Sequence, residues 1–206
     1  MFNQYIEITD ENKDILFVNT LIENIKYALI SLDEMFSKNI TSAFDYNEYT
    51  FYFYHMQNVL TAQGVISDIL YNDYFQRREV SKNRVLRLRN KFGIEVRDFP
   101  LVGDKRFRNV NMHIDDCYDD INGGDYNIIN KKTNQYMKFE ILTTQHFRTI
   151  DVDNWLYFTC DKRGKRMSLN LIELKNQMQN LLNALYNTDI VQQFSTNIIP
   201  YTEIIK

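Results

Sequence analysis

The residues with the clearest capacity for chemistry stand close together, with Arg108 and Asn109 followed by His113 after three intervening positions. At about 3.6 residues per turn, the apolar residues around them fall within roughly 100° of one another and form the buried stripe of a helix. These apolar residues are Phe107, Val110, Ile114, Cys117, Tyr118 and Ile121. Arg108 and His113 lie about 140° apart on the same projection, at the two edges of the polar face. Both side chains are therefore predicted to reach solvent or the surface of a partner.

The chemistry that these two side chains offer is proton transfer beside a bound anion. Histidine exchanges a proton near neutral pH, since its unperturbed pKa is roughly 6.5. Arginine stays cationic, and its planar guanidinium matches the oxygens of a phosphoryl group. The alternative interpretation is an amphipathic helix that carries a histidine without a catalytic role.

Hydrophobic residues that recur every three or four positions predict the helices that would position this motif. The predicted helices span 10 to about 38, about 46 to 74, about 78 to 92 and about 105 to 121. Asp10 and Asp104 are placed to cap the first and the fourth, and glycines end the third and the fourth. Asp98, Pro100 and Gly103 form the predicted loop before the fourth helix.

After residue 125 the pattern changes to alternating or clustered β-favouring residues. The predicted strands are 126–129, 136–141 and 155–160, with turns at 131–134 and 161–164. A last helix is predicted to begin after Asn170, with Glu173 completing a capping box, and to end at about Asn187. The predicted fold class is therefore mainly α, with a small antiparallel β insertion before the last helix.

The charge of the chain is unevenly distributed. Residues 1–76 carry 3 basic and 11 acidic side chains, whereas residues 77–108 carry 11 basic and 4 acidic ones. Such an asymmetry indicates a polyanionic partner. The candidates for phosphate contacts are three cations on one face of the third helix and two at the start of the fourth, namely Arg84, Arg87, Lys91, Lys105 and Arg106. The alternative is a solvated basic surface without a ligand.

Length and composition favour one domain. The chain has 206 residues, 44% of them hydrophobic, which suits a single domain over 1–206 with a helical core at about 10–121 and 171–187 and a β-rich insertion at about 125–168. Cys117 and Cys160 are too few for a disulfide framework and are interpreted as buried thiols. The three histidines show no metal-site spacing, so neither a metal nor a cofactor is expected.

The chain is expected to be cytoplasmic. Its first residues lack the basic start and the apolar stretch of a secretory signal. The longest segment without a formal charge, 49–67, is interrupted by polar side chains and is too polar to span a membrane. Its aromatic residues are interpreted as packing residues of a helix, rather than as a platform for stacking bases, and His55 is interpreted as a hydrogen-bonded packing residue. These aromatic residues are Tyr49, Phe51, Tyr52, Phe53 and Tyr54.

A mainly helical chain whose fourth helix carries Arg108, Asn109 and then His113 resembles the HEPN family, the higher eukaryotes and prokaryotes nucleotide-binding domains. The acidic pair Asp115 and Asp116 after the histidine is similar to that of a group of HEPN-like bacterial proteins. The resemblance covers the helices from about residue 10 to 121 and the last helix. It implies an antiparallel helical bundle of about five helices, with a small antiparallel β insertion before the last helix.

Many HEPN proteins are metal-independent ribonucleases of toxin–antitoxin, phage-defence and RNA-processing systems, and the resemblance implies such an endoribonuclease here. The RNA 2′-hydroxyl would be the nucleophile, His113 would transfer a proton, and Arg108 would hold the charge at the phosphorus. Asn109 would orient the phosphate or His113. Since Arg108 and His113 lie at opposite edges of one helix, the resemblance implies a homodimer in which two copies share a cleft. RNA and an antitoxin protein are the further partners that it implies.

The chain departs from the family pattern in two ways. Toxins paired with a minimal nucleotidyltransferase antitoxin commonly carry a tyrosine two positions after the histidine, and Asp115 stands there instead. Regulation by modification of that tyrosine is therefore not expected. Arg106 offers a second, looser spacing to His113. The alternative function is that of a non-catalytic HEPN-like helical binding or scaffold protein, whose basic face binds an acidic partner.

Overall fold

A computed structural model of the chain describes residues 10–38, 46–71, 79–95, 97–112, 148–160 and 166–188. The described elements are α1 (Asp10–Ser37), α2 (Tyr46–Leu70), α3 (Glu79–Phe92), α4 (Pro100–Gly103), α5 (Arg106–Met112), β1 (Thr149–Asp151), β2 (Leu156–Cys160), β3 (Arg166–Asn170) and α6 (Leu171–Tyr186). The structure confirms the predicted class, which is mainly helical with a small antiparallel sheet before the last helix.

Helices α1 and α2 form the central pair of the fold. The apolar residues of α1 recur with the predicted spacing, and Leu21, Ile25 and Leu32 are fully buried. Residues 13–37 of α1 would be long and apolar enough to cross a membrane, judged by length and composition alone. In the structure the apolar side of α1 packs against α2 and α6, which is the arrangement of a core helix.

Ion pairs fix α3 and α6 to opposite ends of α1. Near the start of α1, the carboxylate of Asp14 accepts hydrogen bonds from Arg87 and Lys91 of α3. Near its end, Asp33 pairs with Lys175 of α6. Both flanking helices are therefore tied to the same central helix by charge, and α6 also packs directly against it.

Helix α4 occupies part of the segment that the sequence predicted as a loop. Its backbone is held by two buried side chains of α2. The Gln63 amide donates hydrogen bonds to the backbone carbonyl oxygens of Leu101 at 2.5 Å and of Asp104 at 3.1 Å. The Ser67 hydroxyl donates a hydrogen bond to the backbone carbonyl oxygen of Gly103 at 3.0 Å. Pro100 starts the turn, as its fixed φ allows. The turn forms because distant side chains satisfy its carbonyl groups, which local sequence rules do not include.

The three strands pair antiparallel in the order β1-β2-β3. Ile150 pairs with Tyr157, and Tyr157 pairs with Leu169. All three side chains are buried, so one face of the sheet closes the helical core. The structure confirms the predicted strand β2 and adds β1 and β3, which the sequence did not predict. The predicted strands 126–129 and 136–141 and both predicted turns lie outside the described residues.

The start of α6 confirms the Asn170 half of the predicted capping box, whereas the Glu173 carboxylate accepts a 3.2 Å hydrogen bond from the side chain of Gln177. The Asn170 side chain accepts a 3.0 Å hydrogen bond from the backbone N–H of Glu173. The buried side chains of α6 include the predicted Leu174, Met178 and Leu181. The cap and the apolar stripe together place the last helix against α1.

Candidate functional site

Helix α5 carries Arg108 and Asn109 and packs against α2. Phe107 and Val110 are buried, as the helical projection predicted. Asp104 caps the helix as predicted, since its carboxylate accepts a 3.1 Å hydrogen bond from the backbone N–H of Arg106. These contacts leave Arg108 half-buried beside α2 and Asn109 exposed.

The side chain of Arg108 lies directly over Gly64 of α2. A Cβ atom at position 64 would stand 3.0 Å from both Cγ and Nε of Arg108. Glycine inside a helix is destabilising relative to alanine and commonly marks a close approach. Position 64 is therefore a feature of the site that sequence reasoning missed, although a lone glycine in the middle of a helix was an available signal.

The Arg108 guanidinium has no carboxylate at ion-pair distance among the described residues. Its Nη1 donates a 3.3 Å hydrogen bond to Oδ1 of Asn109, which is a neutral amide. Arg87, Arg97 and Arg106 each pair with a carboxylate, whereas Arg84 and Arg148, like Arg108, donate to neutral oxygen atoms. Arg108 is thus a half-buried cation whose hydrogen-bond partner does not neutralise it, and it is available to an anion.

His113 lies outside the described residues, which end in this region at Met112 of α5. The predicted separation of about 140° between Arg108 and His113 therefore stays a prediction, as do the buried positions from Ile114 to Ile121. The same holds for Asp115 and Asp116.

A hydrogen-bond network of polar side chains fixes the described end of α5. The Asn111 amide donates to Oε1 of Gln57 on α2, and Arg148, just before β1, donates a 2.9 Å hydrogen bond to Oδ1 of Asn111. The Arg148 guanidinium also lies 5.3 Å from the ring centroid of Phe53. This hydrogen-bond network anchors α5 to α2 and to the sheet at Asn111, two residues before His113. Sequence reasoning missed Arg148 because no local pattern surrounds it.

The three predicted phosphate ligands on α3 share one side of the helix, as expected, but that side faces α1. The Arg87 guanidinium forms bidentate hydrogen bonds of 2.7 and 3.2 Å with the carboxylate of Asp14. The ammonium group of Lys91 donates a 3.3 Å hydrogen bond to the same carboxylate. Arg84 donates to the backbone carbonyl of Asp68 at 3.2 Å and stands 4.8 Å from the ring centroid of Phe17. This face therefore contributes to packing within the chain.

The carboxylate of Asp14 is only 3% exposed. Burial by itself raises the pKa of Asp14, but the hydrogen bonds and charges of Arg87 and Lys91 outweigh it and hold the pKa below its ordinary value. Asp14 is therefore ionised at neutral pH and neutralises part of the predicted basic face.

The two predicted cations next to the motif also have carboxylate partners. Lys105 pairs with Asp68. The guanidinium of Arg106 pairs with Asp104 at 2.6 Å, which raises the pKa of Arg106, yet its side chain remains 72% exposed. Of the five predicted phosphate ligands, Arg106 has the most exposed side chain.

His55 occupies the wall of a groove between α1 and α2. Its ring packs against Phe51, with 4.4 Å between the centroids, and edge-to-face against Tyr54. The predicted packing role fits this position, but the predicted hydrogen bond is not formed at Nδ1, which is buried and has no hydrogen-bond partner within the described ranges. Burial lowers the pKa of His55, so the ring is neutral at pH 7.

The predicted aromatic cluster at the start of α2 divides between core and surface. Tyr52 is buried and Phe51 and Phe53 are partly buried, in keeping with a packing role, whereas Tyr54 is exposed. In the part of the chain that the structure describes, no group of three or more histidine, cysteine or acidic side chains is arranged to hold a metal ion.

No family model matches the chain, and neither a curated protein nor a solved structure matches it significantly.

Proposed function

We propose that this protein is a metal-independent endoribonuclease of HEPN type, in which Arg108, Asn109 and His113 form the catalytic group. The observation that carries the proposal is the state of Arg108. It is a half-buried cation that has no carboxylate at ion-pair distance among the described residues and is bonded only to the neutral side chain of Asn109. An arginine in this state suits a phosphate, because the guanidinium fork binds phosphoryl oxygens in pairs.

In the proposed reaction, the 2′-oxygen of RNA attacks the adjacent phosphorus while the bond from phosphorus to the 5′-oxygen breaks. The His113 imidazole either accepts the 2′-hydroxyl proton, with water protonating the leaving 5′-oxygen, or donates a proton to the 5′-oxygen, with water accepting the 2′-hydroxyl proton, near neutral pH. Arg108 stabilises the charge on the phosphoryl oxygens of the transition state. The products are a 2′,3′-cyclic phosphate and a 5′-hydroxyl, so the chemistry needs no external nucleophile.

The proposal includes a homodimer. On the predicted helix, Arg108 and His113 lie at opposite edges and would not face a single phosphate, whereas two copies that meet at a two-fold axis would bring two motifs to one cleft. Arg106 would contact the incoming strand beside Arg108. The biological setting that we propose is a cytoplasmic toxin–antitoxin or phage-defence system, with an antitoxin protein as a further partner.

The second candidate function is that of a non-catalytic HEPN-like binding or scaffold protein. The ion pairs of Arg87, Lys91 and Lys105 favour this candidate, because cations already held by Asp14 and Asp68 are less available to a phosphate backbone. Under this alternative the same residues stabilise the bundle, and Arg108 binds an acidic group of a partner.

Incubation of purified protein with single-stranded RNA in the presence of EDTA distinguishes the two functions. The nuclease proposal predicts fragments that end in a 2′,3′-cyclic phosphate. It also predicts at least a hundredfold loss of cleavage in Arg108→Ala and in His113→Ala, both with the wild-type circular dichroism spectrum. Wild-type cleavage by His113→Ala, or no cleavage of varied RNA sequences, would overturn the proposal. A monomer at micromolar concentration would exclude the shared cleft.

A further inference from the structure

A groove of about 400 Å³ lies between α1 and α2, and two tyrosines stand at its rim. Tyr27 of α1 and Tyr54 of α2 are 57% and 62% exposed. A volume of this size is typical of sites for small ligands. Exposed aromatic rings on two helices offer flat apolar surfaces to a planar ligand.

The lining of this groove carries no formal charge. It contains neither an acidic nor a basic side chain among the described residues, and the His55 ring in its wall is neutral because burial lowers the pKa of His55. The groove therefore lacks the cations that a phosphate or carboxylate would need. An uncharged ligand, or the uncharged part of a larger one, fits this lining better.

Two amide side chains, beside the hydroxyl groups of Ser31 and Thr61, are among the polar groups that line the groove. Asn24 of α1 uses its amide nitrogen to donate a 2.8 Å hydrogen bond to the carbonyl oxygen of Thr20. Asn58 of α2 is half-buried and has no hydrogen-bond partner within the described residues. An amide offers a hydrogen-bond donor and an acceptor side by side. Nucleobases carry donors and acceptors side by side along their edges, so an amide can form paired hydrogen bonds with them.

The groove and the Arg108 side chain both contact α2, at positions less than one helical turn apart. Thr61 lines the groove, and Gly64, three residues later on α2, contacts the Arg108 side chain. Residues three positions apart are neighbours on a helix surface. A strand whose phosphate lies at Arg108 could therefore place a nearby base in the groove.

We propose that this groove binds one unpaired nucleobase of the single-stranded RNA whose phosphate contacts Arg108. Tyr27 and Tyr54 stack against the base, and Asn58 binds its edge. The identity of the strand rests on the proposed function, but base binding itself can be measured without cleavage.

Fluorescence anisotropy with labelled eight-nucleotide DNA strands tests the proposal, because DNA lacks the 2′-hydroxyl that the proposed reaction needs. The probes are oligo(dA), oligo(dT), oligo(dC) and a strand of equal length without bases. We expect the abasic strand to bind about tenfold more weakly than the best of the others. Tyr27→Ala and Tyr54→Ala should each weaken binding of that best strand about 5- to 100-fold, and should leave binding of the abasic strand unchanged.

Two further variants make the result specific. Tyr54→Phe keeps the stacking ring and should bind like the wild type, and Ile172→Ala changes an exposed apolar residue of α6 as a control. Equal binding of abasic and base-containing strands, or wild-type affinity of both alanine variants, would overturn the inference. If RNA is cleaved but DNA binding is unchanged in both tyrosine variants, the groove inference is wrong and the nuclease proposal is unaffected. If tyrosine-dependent base binding persists without RNA cleavage, the groove inference stands and the nuclease proposal fails.

Discussion

The side chain of Arg108 lies over Gly64, so close that a Cβ atom at position 64 would stand 3.0 Å from its Cγ and its Nε. Carbon atoms in favourable contact are separated by about 3.5–4.0 Å. Any residue other than glycine at position 64 therefore requires the arginine to shift. This contact links a position on α2 to the charged group that carries the proposed function.

Gly64→Ala should separate activity from stability. Alanine is the better helix former by up to about 1 kcal/mol, so the melting temperature should stay the same or rise. The displaced guanidinium should lower RNA cleavage by about tenfold or more, because small misplacements of catalytic groups are costly. Cleavage assays and thermal unfolding followed by circular dichroism measure the two effects.

The control for this prediction is a double-mutant comparison. In an Arg108→Ala background, Gly64→Ala should cause no further loss of cleavage, because the crowded side chain is gone. Wild-type cleavage by Gly64→Ala alone would contradict the importance of the contact.

Asp14→Asn should destabilise the fold at pH 7 by about 1–3 kcal/mol, since it leaves Arg87 and Lys91 without their carboxylate. The pKa of Asp14 is lowered in the folded state from the ordinary value of 3.8. Its stabilising effect is therefore fully present well above pH 3.8 and is lost as the pH falls through the lowered folded pKa. The free energies of unfolding of wild type and variant should converge in acid.

Urea unfolding at pH 7, 5 and 3 measures this convergence, with fluorescence of the single tryptophan as the signal. Glu23→Gln, which changes an exposed carboxylate on the same helix, serves as the control and should have little effect at any pH. A difference between wild type and Asp14→Asn that stays constant with pH would contradict the ion-pair explanation.

Arg87 and Arg106 should differ in what they contribute. Arg87→Ala should lower the free energy of unfolding with little change in RNA affinity, because its guanidinium is held by Asp14. Arg106→Ala should weaken RNA binding and reduce the salt dependence of binding by about one counterion, with a small effect on stability. Anisotropy titrations at several salt concentrations, together with urea unfolding, measure both. The reverse pattern would assign the phosphate contact to α3.

Trp155 should tolerate glycine better than alanine. Its backbone has a φ of 52°, and its ring packs against Phe36 with 4.4 Å between the ring centroids. Both Trp155→Ala and Trp155→Gly lose this packing, but only glycine also relieves the left-handed backbone strain, worth about 1 kcal/mol. Urea unfolding followed by circular dichroism should therefore find the glycine variant the more stable of the two. Equal stabilities would show that the backbone at this position is unstrained.

Much of the secondary structure of the chain was predictable from sequence. The bounds of α1 and α3, the caps at Asp104 and Asn170, and the strand β2 follow from patterns within a few residues. A helix needs its own periodicity and a cap, and both are local properties of the chain. The motif residue Arg108 was identified in the same way, from residue types at a helical spacing.

The partners of those residues were decided by tertiary structure alone. The sequence placed Arg84, Arg87 and Lys91 on one face, but gave no sign that Arg87 and Lys91 pair with Asp14, which stands 73 positions before Arg87. Likewise, α4 depends on Gln63 and Ser67, whose positions in the chain give no sign of that contact. Helix formation is driven by neighbours in sequence, whereas the state of a charged side chain depends on what packing brings beside it. That is why the sequence could identify the cations of this protein, while only the fold distinguishes those already paired from Arg108.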